Sequence, residues 1–285
     1  MAFSADDVAV ARRLQLVAYI CTSMAMFWTY DYMCSLHEEW TFLLRSRWTK
    51  VKALYIIARY VPFLITTTNL YLTLAPNEDT NNCRILINIS SSFGLISLTC
   101  SECFFVLRTY ALWNNNRIVL VAMLSTLFAV IAVCIGIRFT TIATSHITTS
   151  AIPGITGCSW SSHSVRFFMA FILLFAFQLG LFSLTLIRVI QSWRSDKGHL
   201  HVVLVNHNIF YYASGLLLSG VNVLVPVLLS DSVYYSLFEG LQVFILSILA
   251  TRMHLYLWHI DRNVNGSEAL VCISMSDMSP ADRTV

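Results

Sequence analysis

Charged side chains are scarce in this sequence. Only 12% of its 285 residues are Asp, Glu, Lys or Arg, and 57% are hydrophobic. Roughly a quarter of the residues in a soluble globular domain are charged, so this chain has too few charged residues to cover a water-exposed surface. The net charge of +3 is too small to indicate nucleic-acid binding. We therefore expect an integral membrane protein whose main partner is the lipid bilayer.

Several patterns that would carry enzyme chemistry are also missing. Lysine occurs only at Lys50, Lys52 and Lys197, all at or outside the ends of the apolar runs, which excludes a retinal Schiff base inside the membrane. The histidines do not cluster with carboxylates in the way that a metal hydrolase requires. No Gly-x-Ser-x-Gly element and no phosphate-binding glycine loop is present. The sequence predicts neither a catalytic site nor a cofactor.

Seven apolar runs are each about 20 residues long, the length that crosses the hydrocarbon core as a helix. They are continuously apolar rather than alternating, which excludes a membrane β-barrel. The first run follows two arginines, as a signal peptide would, but it lacks a small-x-small cleavage site and is interpreted as a retained helix. The runs predict an all-α bundle of seven transmembrane helices over residues 1–261, with a polar, disordered tail over 262–285. They cover residues 14–33, 51–72, 85–107, 118–137, 167–190, 209–229 and 233–251.

Basic residues predict the orientation of this bundle, because they are enriched on the cytoplasmic side. With the N-terminus outside, twelve lie on the cytoplasmic side and five on the outer side. The pair at Arg12 and Arg13 opposes this bias locally. The cytoplasmic set is Arg45, Arg47, Lys50, Lys52, Arg108, Arg117, Arg188, Arg194, Lys197, Arg252, Arg262 and Arg283, and the outer set is Arg12, Arg13, Arg84, Arg138 and Arg166.

Cysteine placement agrees with this orientation. Cys83 and Cys158 are then the only two cysteines in outer loops, where the environment permits disulfides. Cys83 precedes the third helix and Cys158 lies in the long loop before the fifth, the positions that many seven-helix receptors bridge. We predict a disulfide between them. The alternative is two unpaired thiols.

A group of motifs near the N-terminus resembles the hallmark of an uncharacterised family. The motifs are Tyr-Asp-Tyr at 30–32, Glu-Glu at 38–39, Trp48, and Arg-Tyr-Val-Pro at 59–62. The family consists of multi-pass membrane proteins of basidiomycete fungi and is defined by a domain of unknown function, here about residues 25–75. The sequence departs from its pattern at Trp40 and Leu44. The resemblance implies the multi-pass fold and a fungal membrane, and it brings no activity.

Further segments are similar to later parts of the same family and extend the likeness over most of the chain. They are Leu-Arg-Thr-Tyr-Ala-Leu-Trp at 107–113, Asn116-Arg117, and Thr-Arg-Met at 251–253.

Ionisable side chains inside a span cost about 2.5–3.5 kcal/mol each on insertion scales, so each needs a partner or a purpose. Asp31, Arg59 and Glu102 all fall in the cytoplasmic half of three consecutive helices. We expect them to form a buried charge cluster with Arg59 between two carboxylates. Such a cluster either holds the three helices together or acts as a switch whose ion pairs break on activation.

Polar residues in the outer half of the spans are candidates for a ligand cavity. Hydrogen bonds between helices would also explain them, and a cavity would use the same groups. For Glu239 we expect no basic span residue at its depth, so it is either protonated or faces a wet cavity. The candidates are Asn69, Asn88, Gln178, Asn222 and Glu239.

Arg108 and Tyr110 lie at the predicted cytoplasmic end of the third helix. They are similar to the acid-Arg-Tyr motif of rhodopsin-like receptors, although Leu107 replaces the acid. The alternative role is anchoring at the membrane edge. The sequence favours a receptor of the plasma membrane or an endomembrane that senses a small or lipid-like ligand and couples to a cytoplasmic partner such as a G protein. A transporter or channel for a small solute is the main alternative, and an enzyme with dispersed catalytic residues is a third.

Overall fold

The computed structural model describes residues 5–46, 48–74, 80–144, 146–149, 158–161, 165–193, 199–228 and 232–276. Within these ranges the chain forms seven helices and one two-stranded hairpin, so the predicted all-helical bundle is confirmed. The elements are α1 (Ala5–Arg45), α2 (Lys50–Leu74), α3 (Thr80–Leu112), α4 (Arg117–Thr144), β1 (His146–Thr149), β2 (Cys158–Ser161), α5 (Val165–Trp193), α6 (His199–Leu228) and α7 (Ser232–Ser276).

Two helices occupy the middle of the bundle. α3 packs against α2, α4, α5 and α7, and α7 packs against α1, α2, α3 and α6. α4 lies at the rim against α3 and α5. Side chains on α3 and α7 can therefore contact almost every other helix.

Four helices in the described ranges are long and apolar enough to cross a membrane: α3, α4, α5 and α7. α4 also exposes large apolar side chains such as Ile118, Phe128 and Phe139, each more than 70% accessible. An exposed apolar surface of this kind is suited to lipid rather than to water. α6 contains a shorter apolar stretch, Ile209–Val225, and α1 and α2 carry buried charges. The count of seven spans stays a prediction.

A short hairpin precedes α5, where the sequence predicted only a loop. β1 and β2 pair antiparallel, with Thr149 opposite Cys158, and β1 contacts α3. The end of the bundle that carries this hairpin is called the hairpin end below. The other end, with the α1–α2 and α3–α4 connections, is called the opposite end.

A buried lysine closes the connection between α1 and α2. Lys52 is only 3% accessible, and its Nζ donates to the carbonyls of Leu43 at 2.7 Å and Ser46 at 2.9 Å. The last carbonyls of a helix lack partners within the helix. Lys52 therefore caps α1 from the first turn of α2.

The α3–α4 turn is built on two asparagines. Asn114 and Asn115 have φ angles of 54° and 58°. This left-handed conformation is unfavourable for most residues and better tolerated by asparagine.

Pro62 lies inside α2, and its effect on the helix is compensated by α7. Proline has no N–H, so the carbonyl of Ala58, four residues earlier, loses its helical donor. The hydroxyl of Ser247 on α7 donates to that carbonyl. The interruption that Pro62 makes in α2 is therefore also a contact between α2 and α7.

α7 extends to Ser276. It therefore includes residues 262–276 of the segment predicted to be a disordered tail.

Candidate functional site

Three buried charged residues and one partly exposed arginine form an ionic cluster, which comprises Asp31, Glu39, Arg59 and Arg252. Arg59 Nη1 lies 2.6 Å from Asp31 Oδ2, and its Nη2 lies 2.5 Å from Glu39 Oε1. Arg252 Nη2 lies 2.8 Å from Asp31 Oδ1. Two positive and two negative charges balance, and the cluster ties α1 to both α2 and α7.

Neighbouring side chains complete the cluster. Ser35 donates to Glu39 at 2.6 Å and accepts from Arg59 at 2.5 Å. The Arg59 guanidinium lies 5.2 Å from the ring centroid of Trp28 and 5.6 Å from that of Tyr32. Cation–π contacts and charge-assisted hydrogen bonds offset the cost of burying a group that is only 1% accessible.

The prediction for this cluster is correct for Asp31 and Arg59 and wrong for Glu102. Arg59 does lie between two carboxylates, but the second is Glu39. Residues 31, 35 and 39 are four apart and so share one face of α1. That spacing was the available signal for Glu39. Arg252 is counted with the cytoplasmic basic residues, and only the packing of α7 on α1 brings it to Asp31.

Glu102 instead begins a chain of hydrogen bonds that runs through four helices. Gln178 on α5 donates to Glu102 on α3, and Ser219 on α6 donates to Gln178 at 2.5 Å. Gln242 on α7 donates to Ser219 at 2.6 Å, and Asn222 on α6 donates to Gln242. All five side chains are buried. We call this set, Glu102, Gln178, Ser219, Gln242 and Asn222, the polar chain.

The polar chain has one direction. Asn222, Gln242, Ser219 and Gln178 each donate to the next member, and the last bond ends on Oε1 of Glu102. Oε1 of Glu102 is the final acceptor, and this accounts for the orientation of every member. Aligned hydrogen bonds polarise one another. The chain therefore stabilises negative charge on Glu102.

A cleft between α3, α4, α5 and α7 ends at this carboxylate. Its volume is about 620 Å³ with its open side included. Apolar side chains form most of the walls, and Glu102 and Gln242 contribute polar groups. Oε2 of Glu102 is buried and has no hydrogen-bond partner. The cleft thus combines an apolar body with one unpaired acceptor.

Arg138 and Glu239 lie in the same cleft nearer the hairpin end. They form an ion pair, and Arg138 also donates to Ser91. Their side chains are 22% and 27% accessible. The expectation that Glu239 has no basic neighbour at its depth is therefore wrong. Arg138 directly follows the fourth apolar run and is counted with the outer basic residues, but α4 continues to Thr144 and holds it inside the bundle.

The other cavity candidates are divided between the polar chain and separate contacts. Gln178 and Asn222 belong to the polar chain. Asn69 accepts from Ser90 at 2.7 Å and joins α2 to α3, and Asn88 is a half-buried residue of α3. Neither Asn69 nor Asn88 lines the cleft. Ser219 and Gln242 were missed, because a single serine or glutamine in an apolar run gives little signal.

Polar contacts at the opposite end join the same helices. The hydroxyl groups of Thr109 and Tyr212 lie 2.8 Å apart, and those of Thr109 and Thr185 lie 3.3 Å apart. Arg108 Nη2 lies 3.2 Å from His254 Nδ1 on α7. Tyr110 packs against the central hydrophobic core. Arg108 thus faces α7, and both predicted coupling residues are half-buried.

The predicted disulfide involves a residue pair that is only half described. Cys83, near the start of α3, is fully buried and is not one of the free thiols. The backbone of Cys158 begins β2, in the hairpin that contacts α3, but its side chain lies outside the described residues. The pairing stays a prediction.

Metal binding finds no support in the part of the chain that the structure describes. No group of three or more His, Cys, Asp or Glu side chains in those ranges is arranged to hold an ion.

Residues 19–64 match the model of a family of unknown function, DUF6533. The matched segment covers most of α1 and the first part of α2, and it contains Asp31, Glu39 and Arg59 of the ionic cluster. No curated protein matches the chain.

Proposed function

We propose that this chain is a receptor-like membrane protein of seven transmembrane helices that senses a small or lipid-like ligand in the cleft. The observation that carries the proposal is Glu102, which lines an apolar cleft and whose buried Oε2 has no hydrogen-bond partner. A buried acceptor without a partner is unfavourable by about 1–3 kcal/mol. A ligand that satisfies it would gain binding energy at that point.

The polar chain supports transmission of binding from the cleft to the rest of the bundle. Glu102 is the end of a chain whose other members lie on α5, α6 and α7. A ligand that binds Glu102 more tightly in one arrangement of these helices than in another would shift the population between them.

Contacts between helices at the opposite end support the proposal that such a shift reaches the cytoplasmic side. Thr109 lies seven residues beyond Glu102 on α3, or about 10 Å along the helix, and it contacts Tyr212 and Thr185 on α6 and α5. Arg108 contacts His254 on α7. We propose that Arg108 and Tyr110 take part in coupling by holding α3 against its neighbours, and that the exposed α3–α4 turn contacts a cytoplasmic partner such as a G protein.

Orientation is part of the proposal. The twelve-to-five distribution of basic residues favours a cytoplasmic opposite end and an N-terminus on the outer side. An acceptor site for N-glycosylation engineered beside Ser145 is expected to be modified, and one beside Ser195 is not. Modification beside Ser195 and not beside Ser145 would indicate the opposite orientation and contradict this part of the proposal. The compartment is the plasma membrane or an endomembrane, and a fungal setting follows from the motif resemblance alone.

The coupling proposal is tested by proximity labelling from the C-terminus of the full chain in cells. We expect guanine-nucleotide-binding subunits among the labelled proteins, with a severalfold loss in Arg117→Glu. Arg117 is exposed at the start of α4, at the opposite end. The matched control is Arg84→Glu, the same charge reversal at an exposed position of the hairpin end. Equal labelling in the two variants would contradict coupling through the α3–α4 turn.

A transporter remains the second candidate, since a buried carboxylate and an ion pair in one cleft are features that transporters also use. A transporter would move solute across vesicles that contain only this protein. A receptor would not move solute. Solute flux in such vesicles would therefore contradict the receptor proposal and support the transporter.

A further inference from the structure

We infer that the cleft binds a lipophilic monoamine, an apolar molecule with a single protonated amine that pairs with Glu102. This inference names the ligand class of the cleft and so rests on the proposed function for its biological meaning. The binding itself is a property of the cleft and is tested without any signalling partner.

Charge balance in the cleft is the first argument. Arg138 and Glu239 neutralise one another. Glu102 is a third ionisable group in the cleft, and Gln242 and the other lining residues carry no charge. With Glu102 ionised, the cleft holds one uncompensated negative charge in apolar surroundings. Such a charge is strongly unfavourable unless it is paired, so a single positive charge on the ligand is the complementary partner.

Hydrogen-bond geometry is the second argument. Oε1 of Glu102 accepts from Gln178, whereas Oε2 is buried without a partner. Every bond of the polar chain is donated toward Glu102, so the protein presents it as an acceptor. An ammonium group has donors and no acceptor. A ligand carboxylate or phosphate has the wrong sign for this position.

The shape of the cleft is the third argument. Its lining on α4 runs from Leu127 to Arg138, eleven residues or about 16 Å of helix. Leu98, Val130, Phe171 and Leu174 belong to its apolar walls. The Arg138–Glu239 pair lies nearer the hairpin end, away from Glu102. The amine is therefore expected at the inner end and the apolar body along the walls.

The experiment uses three probes with one alkyl chain and different head groups: octylamine, octanol and octanoate. Binding to the purified full-length protein in lipid nanodiscs is measured as a saturable rise in the unfolding temperature, followed by tryptophan fluorescence. We expect octylamine to bind best, octanol more weakly and octanoate not at all. Equal or tighter binding of octanoate, or no saturable binding of octylamine, would overturn the inference.

Glu102→Gln is the decisive variant, because it keeps the size of the side chain and replaces one acceptor oxygen by a donating NH₂. It should weaken octylamine at least tenfold. Octanol should change little, since a hydroxyl can also accept. The matched control is Glu38→Gln, which removes an exposed acid on α1 and should leave all three affinities unchanged. Unchanged octylamine binding in a folded Glu102→Gln protein would also overturn the inference.

Ala170→Trp gives an independent test of the location if Glu102→Gln does not fold. Ala170 lines the cleft, and an indole there should block octylamine. Binding that persists in Ala170→Trp would place the amine elsewhere and reject the inference.

Chain length then distinguishes two sources of an amine. Affinity that keeps rising beyond the length of the cleft indicates an amine-bearing lipid from the bilayer. A maximum at about that length indicates a small amine from water. Either result supports the shared amine chemistry.

The outcomes for the inference and for the receptor proposal remain separate. Amine binding that depends on Glu102 but never alters labelling of cytoplasmic partners would support the ligand class and reject the receptor. Partner labelling without amine binding would support the receptor proposal and reject the ligand class.

Discussion

The ionic cluster and the polar chain are two buried polar regions of one bundle, and they handle charge differently. The ionic cluster has two acids and two arginines on α1, α2 and α7, and its charges cancel. The polar chain has one acid, with neutral donors on α5, α6 and α7. The first set is complete within the protein. The second has an acid whose Oε2 lacks a hydrogen-bond partner, and that acid lines a cleft.

This difference indicates separate roles. Oε2 of Glu39 and Nε of Arg59 also lack hydrogen bonds, but the charges of both groups are already compensated and neither residue lines the cleft. A neutral, closed cluster is suited to fixing helices. An unbalanced carboxylate beside empty space is suited to binding. Substitutions in the two regions test this contrast.

The largest effect is expected from Arg59→Leu. It leaves Asp31 with Arg252 alone and leaves Glu39 as a buried, unpaired carboxylate, which is destabilising by about 3–5 kcal/mol. The amount of folded protein in the membrane and the unfolding temperature measure it.

The double variant Arg59→Leu/Glu39→Leu should be milder than Arg59→Leu alone, because it leaves the Asp31–Arg252 pair neutral. Glu38→Leu, at an exposed neighbouring position, is the control. If the double loss equals the sum of the two single losses, the residues are not coupled and the closed cluster is disproved.

Loss of the predicted Cys83–Cys158 disulfide should have the next largest effect on stability. Cys83→Ser should destabilise the hairpin end by about 2–4 kcal/mol, the usual range for a native bridge. Peptide mass spectrometry without reduction identifies the pair directly, and Cys34→Ser, which alters an exposed free thiol, serves as the control. Detection of both Cys83 and Cys158 as free thiols would refute the prediction.

Removing a middle member of the polar chain should destabilise the protein more than removing the first donor. Gln178→Leu leaves Oε1 of Glu102 without a donor and the hydroxyl of Ser219 without an acceptor, and each orphaned group is unfavourable by about 1–3 kcal/mol. Asn222→Leu removes only the first donor and leaves one acceptor on Gln242. We expect the unfolding temperature to fall further for Gln178→Leu. The reverse order would show that the chain does not act as one network.

Glu239→Gln is expected to have the smallest effect on stability. Its ion pair with Arg138 is partly accessible, and exposed pairs contribute about 0–1 kcal/mol. The variant should fold normally and, because it leaves Arg138 unbalanced in the cleft, should weaken octylamine binding. Unchanged octylamine affinity would place the amine beyond the influence of this pair.

Much of the fold was predictable because helix length and apolarity are local properties. The described residues of the seven apolar runs lie within the seven helices, and the span on α4 is strongly apolar, with a mean hydropathy of 2.9. The helix ends were less predictable. α1 extends over 41 residues and α4 includes Arg138, because buried partners allow polar residues to continue a helix within the bundle.

The candidate site was predictable only where a residue is costly by itself. Asp31, Arg59, Glu102 and Glu239 stand out, since an ionisable group in an apolar run needs an explanation. Ser219 and Gln242 do not, because one neutral polar residue in such a run is common. Their role follows from meeting Gln178 across α5, α6 and α7.

Composition and local pattern by themselves determined a helical membrane protein and the residues that require partners, because the cost of placing a charge in lipid does not depend on the fold. Tertiary structure alone decided which partners those residues have. Arg59 pairs with Glu39 and not with Glu102, because α1 lies against α2 while the Glu102 side chain on α3 meets α5. That packing leaves the ionic cluster closed and leaves Oε2 of Glu102, a residue that lines the cleft, without a partner.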